Sequence, residues 1–461
     1  MKFDYCVIGS GPGGYVSAIR ASRLGLRAAV VEKGLVGGVC TNTGCIPTKA
    51  LLRSAEVFSL AKTAKAFGVE TENVRANFEA MIGRKDRVSS SLSRGIESLL
   101  KNANVELIKG EGSLVAPNLI EVSGDKRDQL VSADSVVIAT GSSAAIPPIP
   151  GLGQKGVITS DGALALKSIP DRLVVIGAGA VGVEWASMFA ALGSTVSIVE
   201  MQERLVPVED EDVSEQLRKA FVAQGILVKV KAKVAGIKGS PGNMKVEIQQ
   251  GTESESIDCE LVLNATGRTP NAKGIGLEAV GVSIGKAGVQ VDGGMRTTTD
   301  GIYAIGDVTG LKLLAHVASH QGIVAAENAA GANQDMSLDT VPGATFCFPE
   351  IASVGLTEAQ AKDRYGSAII GRFPYMASGR ARAYGDAEGF TKVVAEPEYG
   401  AVVGVHIIGA MASDSIAEGV LAIKLEATLD DLRDVIHAHP TFPEALGEAS
   451  WHAIGEPINT I

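Results

Sequence analysis

The residues best suited to chemistry are two cysteines five positions apart, Cys40 and Cys45, in a chain of 461 residues with five cysteines. On a regular helix, residues at this spacing have Cα atoms roughly 8–9 Å apart, beyond the limit of about 7 Å for a disulfide. A bridge between them would require the backbone to leave the helical path, and a distorted bridge is reduced more easily. Because the pair follows a pattern typical of nucleotide binding, it suggests electron transfer between thiols and a cofactor.

Two other roles for the pair are less favoured. A stabilising disulfide would gain little chain entropy from a four-residue loop, and no sign of secretion accompanies it. A zinc site usually needs a second pair of ligands, and no metal site is predicted. The remaining cysteines, Cys6, Cys259 and Cys347, lie singly in apolar surroundings and are predicted to be buried packing residues.

Composition narrows the class of protein. The length predicts about three domains, and 46% hydrophobic with 20% charged residues is typical of a globular protein with a large core. A net charge of −10 argues against nucleic acid or an anionic membrane surface as a main partner. The N-terminus shows no targeting segment, and no uninterrupted apolar run of about 18 residues predicts a membrane span. With so few cysteines, a reducing compartment, the cytoplasm, is expected.

A pattern typical of dinucleotide binding occurs twice. In the first copy, an apolar strand at 5–8 leads into the glycines Gly9, Gly11 and Gly14, a helix to 24 and a strand ending at Glu32. Each glycine has a role: the first allows the tight turn, the second lets a pyrophosphate approach, and the third lets the helix pack on the strand. The helix N-terminus would then face the phosphates.

The second copy repeats this order. A strand at 173–176 leads into Gly177, Gly179 and Gly182, a helix to 192 and a strand ending at Glu200. The first glycine precedes the acidic residue by 23 positions in both copies, so two dinucleotides are predicted. Glu32 and Glu200 should accept hydrogen bonds from the adenosine ribose hydroxyls. Because a carboxylate at 200 would repel a 2′-phosphate, the second site is predicted to bind NAD rather than NADP.

Further patterns divide the chain. Two apolar strands end in Ala-Thr-Gly, at 139–141 and 265–267, and are predicted to close the two nucleotide units. A Pro-rich stretch at 146–151 is predicted to be a linker. From about 341, apolar runs at 390–395 and 402–408 are typical of an antiparallel sheet, and a helix is predicted from 410 to 425.

Together these motifs resemble the FAD-dependent pyridine nucleotide-disulfide oxidoreductases, a family of flavoprotein disulfide reductases, over residues 4 to about 448. The motifs that carry the resemblance are the two glycine motifs, the Cys40/Cys45 stretch, Gly267-Arg268-Thr269-Pro270-Asn271, Ala304-Ile305-Gly306-Asp307, and His439-Pro440-Thr441 with Glu444. The resemblance implies an α/β fold with two Rossmann-like dinucleotide-binding domains and a C-terminal α+β dimerisation domain. It implies FAD in the first site, NAD(P) in the second, and a homodimer. Domain bounds are predicted at 1–145 (FAD-binding, first part), 146–270 (NAD-binding), 271–340 (FAD-binding or central, second part) and 341–461 (dimerisation).

The resemblance also implies roles for single residues. His439, delivered from the partner subunit, would be the base that deprotonates a substrate thiol, and Glu444 would hold its ring. Cys40 would exchange with substrate, and Cys45, at or near the start of a helix expected from 46 to 52, would lie nearer the flavin. Further cofactor contacts are expected from these residues: Lys49, paired with Glu184, and Thr140, Gly141, Gly267, Asp307 and Ala315. A structural role is expected for His437; a metal site with His439 is not favoured.

Within the family, the segments 314–322, 350–358 and 437–441 resemble members that oxidise dihydrolipoyl groups with NAD⁺. This implies a lipoyl-bearing acyltransferase or glycine-cleavage protein, in a 2-oxo acid dehydrogenase-type complex, as partner. Thr41, Thr43, Thr48 and Phe442-Pro443 depart from the residues commoner in the family. Two alternatives stay open: a sister enzyme acting on another disulfide, and a non-catalytic subunit of such a complex, which would not need the cysteine pair and the histidine.

Overall fold

The computed structural model describes residues 1–124 and 128–460. The helices in these residues are α1 (Pro12–Arg23), α2 (Gly38–Asn42), α3 (Cys45–Thr63), α4 (Phe78–Asn102), α5 (Ser160–Leu164), α6 (Ala180–Ala191), α7 (Glu211–Ala223), α8 (Ala315–Ala329), α9 (Glu358–Tyr365), α10 (Gly379–Tyr384), α11 (Ala412–Lys424), α12 (Leu429–Asp434) and α13 (Glu444–Ala453). Short 3₁₀ helices cover Ala64–Phe67, Glu278–Val280, Gly306–Thr309 and Tyr375–Ala377.

The strands in the same residues are β1 (Lys2–Ile8), β2 (Ala28–Glu32), β3 (Glu106–Lys109), β4 (Glu111–Ala116), β5 (Leu119–Ser123), β6 (Gln129–Ile138), β7 (Ser142–Ala144), β8 (Val157–Ile158), β9 (Arg172–Ile176), β10 (Thr195–Val199), β11 (Leu227–Lys229), β12 (Lys233–Ser240), β13 (Asn243–Gln250), β14 (Glu253–Cys259), β15 (Leu261–Asn264), β16 (Arg268–Pro270), β17 (Ile302–Ala304), β18 (Gly343–Thr345), β19 (Ile351–Gly355), β20 (Ile369–Pro374), β21 (Gly389–Ala395) and β22 (Val402–Gly409).

The first compact unit comprises residues 1–51, 79–145 and 268–337. Its main sheet has the strand order β3-β2-β1-β6-β5-β4, with β17 also paired to β6. Strand β1 runs parallel to β2 and β6, as expected for a buried sheet with crossover helices. Alternate residues of β1 enter two different cores, Cys6 and Ile8 on one face and Tyr5 and Val7 on the other. Apolar residues therefore cover both faces, which explains the unbroken apolar run in the sequence.

The second unit comprises residues 52–78, 146–267 and 338–461. It contains a parallel sheet of order β11-β10-β9-β15-β8, an antiparallel meander β12-β13-β14, and an antiparallel sheet of order β18-β19-β22-β21-β20. The predicted closing strands are confirmed, since β6 and β15 pair in parallel with the first strand of their glycine motifs. The antiparallel pairing of β21 with β22 is confirmed as well.

Two helices differ from the sequence expectation in length. The helix expected from 46 to 52 begins at Cys45 and continues to Thr63, and the helix expected from 410 begins at Ala412 because Met411 adopts a left-handed conformation with φ of 60°. No helix in the described part of the chain combines the length and apolar character that a bilayer crossing needs. The four predicted domain bounds stay predictions.

Candidate functional site

The two glycine motifs form the same turn. Gly9 and Gly177 follow β1 and β9 with φ of 105° and 99°, a region that favours glycine. A side chain on Gly14 would collide with the Gly9 carbonyl, and one on Gly182 with the Gly177 carbonyl. Each third glycine thus permits the close packing of helix on strand that the sequence predicted.

The acidic residues that follow the two motifs have matching hydrogen bonds. One Glu32 oxygen accepts from the Ser10 backbone N–H at 2.9 Å, and the other accepts from the Gly34 N–H at 2.7 Å. One Glu200 oxygen accepts from the Ala178 N–H at 2.7 Å, and the other from the Gln202 N–H at 2.8 Å. The duplication read from the sequence therefore extends to single hydrogen bonds.

The residues of both motifs fit a dinucleotide. Gly11 and Gly179 precede the first turns of α1 and α6, and neither helix has a side chain capping its N-terminus. A Cβ atom on either glycine would have no neighbour within 4 Å. The space over each helix N-terminus can therefore admit a pyrophosphate, toward which the backbone N–H groups and the helix dipole are favourable.

The cations near Glu200 are engaged elsewhere. Lys231 pairs with Glu203 at 3.0 Å, and an Arg204 guanidinium nitrogen lies 3.4 Å from the Pro207 carbonyl oxygen. Glu200 itself is buried. This arrangement favours NAD over NADP, because Lys231 and Arg204 contact other groups and neither is directed to a 2′-phosphate.

The cysteine pair lies at a break between two helices. Cys40 belongs to α2, Thr43 and Gly44 interrupt the helix, and Cys45 is the first residue of α3. The Gly44 carbonyl accepts the Thr48 N–H at 3.1 Å, which places Cys45 in the first turn. The departure from helix that a Cys40–Cys45 bridge requires is present, and the structure holds the two residues as thiols.

Charged and polar groups around Cys40 set its protonation. Its pKa is raised well above the usual range, first by the hydrogen bond with Cys45 and then by burial, with a further contribution from Asp307. Lys49 acts in the opposite direction. These surroundings favour the thiol form of Cys40. The helix dipole at the start of α3 favours the negative charge at Cys45.

Asn42 organises the backbone before the pair, and sequence reasoning missed it. Its side-chain amide nitrogen lies 3.4, 3.1 and 3.0 Å from the carbonyl oxygens of Leu35, Val36 and Gly38. The sequence gives only a weak indication of this role, because Asn disfavours helix and stands just before the helix break.

Asp307 belongs to a hydrogen-bond network that the sequence analysis predicted only in part. The Ser142 hydroxyl donates to Asp307 at 2.5 Å, and Arg268 donates to the Ser142 hydroxyl and carbonyl, both at 2.6 Å. Arg268 lies 3.7 Å from the Asp307 carboxylate. Gln321, fully buried on α8, accepts the Gly306 N–H at 2.6 Å. These contacts fix the Asp307 carboxylate, which is predicted to contact the cofactor.

The other predicted cofactor residues lie at turns and helix ends. Thr140 and Asn271 exchange hydrogen bonds of 2.8 and 3.0 Å beside Gly141, and Ala315 is the first residue of α8. Gly267, which ends the second Ala-Thr-Gly stretch as Gly141 ends the first, has a φ of 135°. Their roles stay predictions.

Glu184, buried on α6, accepts the Phe346 N–H at 3.0 Å within the second unit. Ser187, one turn further along α6, accepts the Phe348 N–H at 2.9 Å. These bonds attach α6 to the segment before β19. The pairing of Glu184 with Lys49 stays a prediction.

The histidine predicted as base has the expected carboxylate. His439 Nδ1 lies 2.7 Å from one Glu444 oxygen, and the Thr441 N–H donates to the other at 2.5 Å. Since a carboxylate accepts only, Nδ1 is the ring nitrogen that donates, and in the neutral ring the lone pair is on Nε2. The His439 side chain is 80% exposed, so Nε2 is accessible. His437 forms a second pair, 2.8 Å from Glu418.

The departures from the commoner family residues differ in burial, and Thr43 is exposed. Thr41, Thr48 and Phe442 are buried, and Phe442 packs against Tyr375 and Tyr384 with ring centroids 5.6 Å apart in each case. In the described residues, no group of three or more His, Cys, Asp or Glu side chains is placed to hold a metal ion.

Comparison with known proteins agrees with this geometry. The family model described as pyridine nucleotide-disulphide oxidoreductase matches residues 3–322, and that of its dimerisation domain matches residues 341–450, which supports a homodimer. A dihydrolipoyl dehydrogenase of Chlorobaculum tepidum is 42% identical over 458 residues, covering 98% of this chain and 97% of that protein. One of Bacillus subtilis is 40% identical over 471 residues, covering 99% of both.

A solved structure shares the fold. The Cu(II) complex of the HOCl-induced flavoprotein disulfide reductase RclA from Escherichia coli superposes with a TM-score of 0.88 at 27% identity, covering 98% of this chain and 99% of that one. The predicted fold class, an α/β chain with a dimerisation domain, is confirmed. With its two glycine motifs, its thiol pair and its C-terminal sheet accounted for, the chain belongs to the pyridine nucleotide-disulphide oxidoreductase family.

Proposed function

We propose that this protein is a dihydrolipoyl dehydrogenase, which oxidises protein-bound dihydrolipoyl groups to lipoyl groups and reduces NAD⁺. The observation that carries the chemistry is the Cys40–Cys45 pair at the start of α3, in the unit that also holds the first glycine motif. The substrate class is supported by full-length relatives of that name at about 40% identity. FAD binds at the first motif and NAD at the second.

The thiol chemistry follows from the residues of this chain. His439 Nε2 takes the proton of one substrate thiol, and Glu444 stabilises the resulting imidazolium. The substrate thiolate attacks the Cys40 sulfur of the disulfide, and Cys45 leaves as a thiolate. The second substrate sulfur then attacks the first and passes its proton to Cys40, which is released as a thiol together with the cyclic lipoyl disulfide.

This distribution of protons agrees with the surroundings of the pair. Cys40, whose pKa is raised, holds the proton, and Cys45 at the helix N-terminus holds the charge. When bound, FAD and NAD⁺ supply the redox chemistry that takes two electrons from the reduced pair. The chain's contribution is to bind them through the glycine turns and the Glu32 and Glu200 carboxylates. A cytoplasmic location and a lipoyl-bearing acyltransferase or glycine-cleavage protein as partner belong to the same proposal.

A sister disulfide reductase is the second candidate, and the likeness to RclA is the observation that favours it. The Cys40–Cys45 pair and the His439–Glu444 pair would serve any small disulfide. The preference for NAD that the paired cations near Glu200 indicate does not separate the two candidates by itself.

Steady-state assays on the purified holoenzyme decide between them. Oxidation of dihydrolipoamide is measured with NAD⁺ and with NADP⁺. Oxidation of NADH is measured with lipoamide, glutathione disulfide and coenzyme A disulfide. We expect lipoamide to exceed the other disulfides in kcat/KM by about 10³-fold or more, since a disulfide that misfits the site loses transition-state contacts. A higher kcat/KM for another disulfide would replace the proposal with the sister activity. Turnover lost in Cys40→Ser excludes a non-catalytic subunit.

A further inference from the structure

The first glycine motif differs from the second at the residue that contacts its acidic carboxylate. Position 10 is a serine, and the matching position 178 is an alanine. The Ser10 hydroxyl is fully buried and donates to Glu32 at 2.6 Å, on the same oxygen that accepts the Ser10 backbone N–H. Ala178 contacts Glu200 through its backbone N–H, at 2.7 Å. The first unit therefore has a side-chain hydrogen bond that an alanine cannot form.

In both units the chain returns to the glycine motif soon after the acidic residue. The Ser10 carbonyl accepts the Gly37 N–H at 3.1 Å, and the Ala178 carbonyl accepts the Val206 N–H at 2.8 Å. In the first unit the Ser10 hydroxyl also accepts the Gly37 N–H, at 3.2 Å. One buried hydroxyl thus joins the Glu32 carboxylate to the Gly37 backbone.

Gly37 leads directly into the helix that carries Cys40. It is the residue immediately before α2, and a Cβ atom on the next residue, Gly38, would lie 2.8 Å from the Gly11 Cα atom. The Asn42 amide, at the end of α2, donates to the carbonyl oxygens of residues 36 and 38, on either side of Gly37. Because these contacts make Gly37 and α2 one packed piece, a displacement of Gly37 would displace Cys40 as well.

We propose that Ser10 is a positioning residue, which ties the segment that carries Cys40 to the carboxylate of the first nucleotide site. Its hydroxyl joins Glu32, which is predicted to bind the adenosine ribose of FAD, to the start of α2. The extra hydroxyl occurs in the unit whose returning segment leads to the thiol pair. The returning segment of the other unit, residues 200–210, contains no cysteine. The expected effect of Ser10 on turnover rests on the proposed function.

Hydrogen exchange of the holoenzyme tests the inference without turnover. Ser10→Ala removes the hydroxyl and keeps the backbone hydrogen bonds of residue 10. Because a hydrogen bond to a charged group is lost, we expect amide exchange in peptides that cover residues 35–42 to be about tenfold faster, as measured by mass spectrometry. Ser17→Ala is the matched control, since the Ser17 hydroxyl is also fully buried but bonds to Tyr5, at 2.7 Å. It should leave these peptides unchanged.

Two activities of the holoenzyme separate the thiol pair from the flavin. Oxidation of dihydrolipoamide uses the thiol pair, whereas ferricyanide takes electrons from the flavin that NADH has reduced. We expect the ratio of kcat/KM for dihydrolipoamide to the ferricyanide rate to fall about tenfold in Ser10→Ala, because a reacting group that is held less firmly loses its favourable orientation. FAD content and thermal melting of each variant establish that it is folded and loaded.

Exchange of residues 35–42 within twofold of the unmodified enzyme in Ser10→Ala would overturn the inference. An equal increase in Ser17→Ala would overturn it too, because any buried hydroxyl would then have the same effect. So would dihydrolipoamide and ferricyanide rates that fall in parallel, since Ser10 would then serve the flavin alone. If the unmodified protein does not turn over dihydrolipoamide, it is the proposed function that fails, and the exchange measurement still decides the role of Ser10.

Discussion

At the scale of residues, Glu32 and Glu200 show how one local design serves two nucleotides. Each carboxylate is oriented by a backbone N–H of the glycine motif and by the N–H two residues further on. After the second carboxylate, Met201 is 69% exposed, and the nearby Lys231 is paired with Glu203. Nucleotide choice in the second unit therefore depends on Glu200 and its immediate neighbours.

Replacing Glu200 by Ala and Met201 by Arg should shift the preference from NADH toward NADPH. The carboxylate that binds the ribose and repels phosphate is lost, and a cation is gained. We expect kcat/KM with NADH to fall by about 10–100-fold, the range for a hydrogen bond to a charged group, and kcat/KM with NADPH to rise. Glu32→Ala is the matched control, which should lower FAD retention and leave the NADH/NADPH ratio unchanged. Equal use of both nucleotides by the unmodified protein would refute the premise.

Cys40 offers a second test at this scale. Its hydrogen bond with Cys45 raises its pKa, so Cys45→Ser should lower that pKa toward its ordinary value. The Cys40 thiolate then forms at lower pH, and alkylation of Cys40 by iodoacetamide at pH 8 should be faster in the variant than in the reduced parent. Peptide mass spectrometry measures the rate, with buried Cys6 as an unlabelled reference. Slower or unchanged labelling of Cys40 would contradict the assignment.

At the scale of elements, prediction from sequence succeeded where the local residue types determine the backbone conformation. The glycine turns need left-handed φ values and small side chains, so both β–turn–α units were predicted close to their observed bounds. A break between Cys40 and Cys45 was expected if the two form a disulfide, because residues at that spacing on a regular helix lie too far apart for a bridge. The meander β12-β13-β14 was missed, since β14 is largely exposed and its sequence gives little apolar alternation.

Contacts between distant positions could not be read from the sequence. Lys392 on β21 is 1% exposed and contacts Asp210 at 2.8 Å, Asp212 at 2.7 Å and Glu358 at 2.7 Å. Asp210 also caps α7 and accepts the Glu358 N–H at 3.0 Å. The same holds for Arg268 with Ser142 and for His437 with Glu418, where each residue type is unremarkable in its own segment.

Lys392→Met should destabilise the protein by about 3 kcal/mol or more at pH 7, because it leaves Asp210 buried without its cation. Lys392 and the Glu358 N–H hold the pKa of Asp210 below its ordinary value, so this carboxylate stabilises the native state above that ordinary value and less as pH falls. The deficit of the variant should therefore persist down to the ordinary pKa of Asp, 3.8, and shrink as the pH falls below it. Denaturant unfolding at several pH values measures it.

Lys362→Met is the matched control. Lys362 pairs with the same Glu358, at 2.6 Å, but its side chain is 54% exposed. An exposed pair contributes about 0.5 kcal/mol, so this variant should unfold almost as the parent does. Equal losses in the two variants would show that burial of Lys392 has no energetic consequence.

At the scale of the whole molecule, the chemistry is divided between distant parts of the chain. The thiol pair belongs to the first unit, and the His439–Glu444 pair belongs to the second, within the stretch that matches the dimerisation domain. As a base, the exposed Nε2 of His439 must lie next to the substrate thiol that reacts with the Cys40–Cys45 disulfide. We propose that the working site combines Cys40 and Cys45 of one copy with His439 of another.

Subunit exchange between two inactive variants tests this claim most directly. Dimers of Cys40→Ser and dimers of His439→Gln are mixed under conditions that exchange subunits, and dihydrolipoamide oxidation is followed. Random pairing makes about half of the dimers mixed, and each has one site with both groups intact, so up to about a quarter of the sites should recover activity. If exchange is demonstrated by mass and no activity returns, Cys40 and His439 act within one chain, and the shared site is wrong.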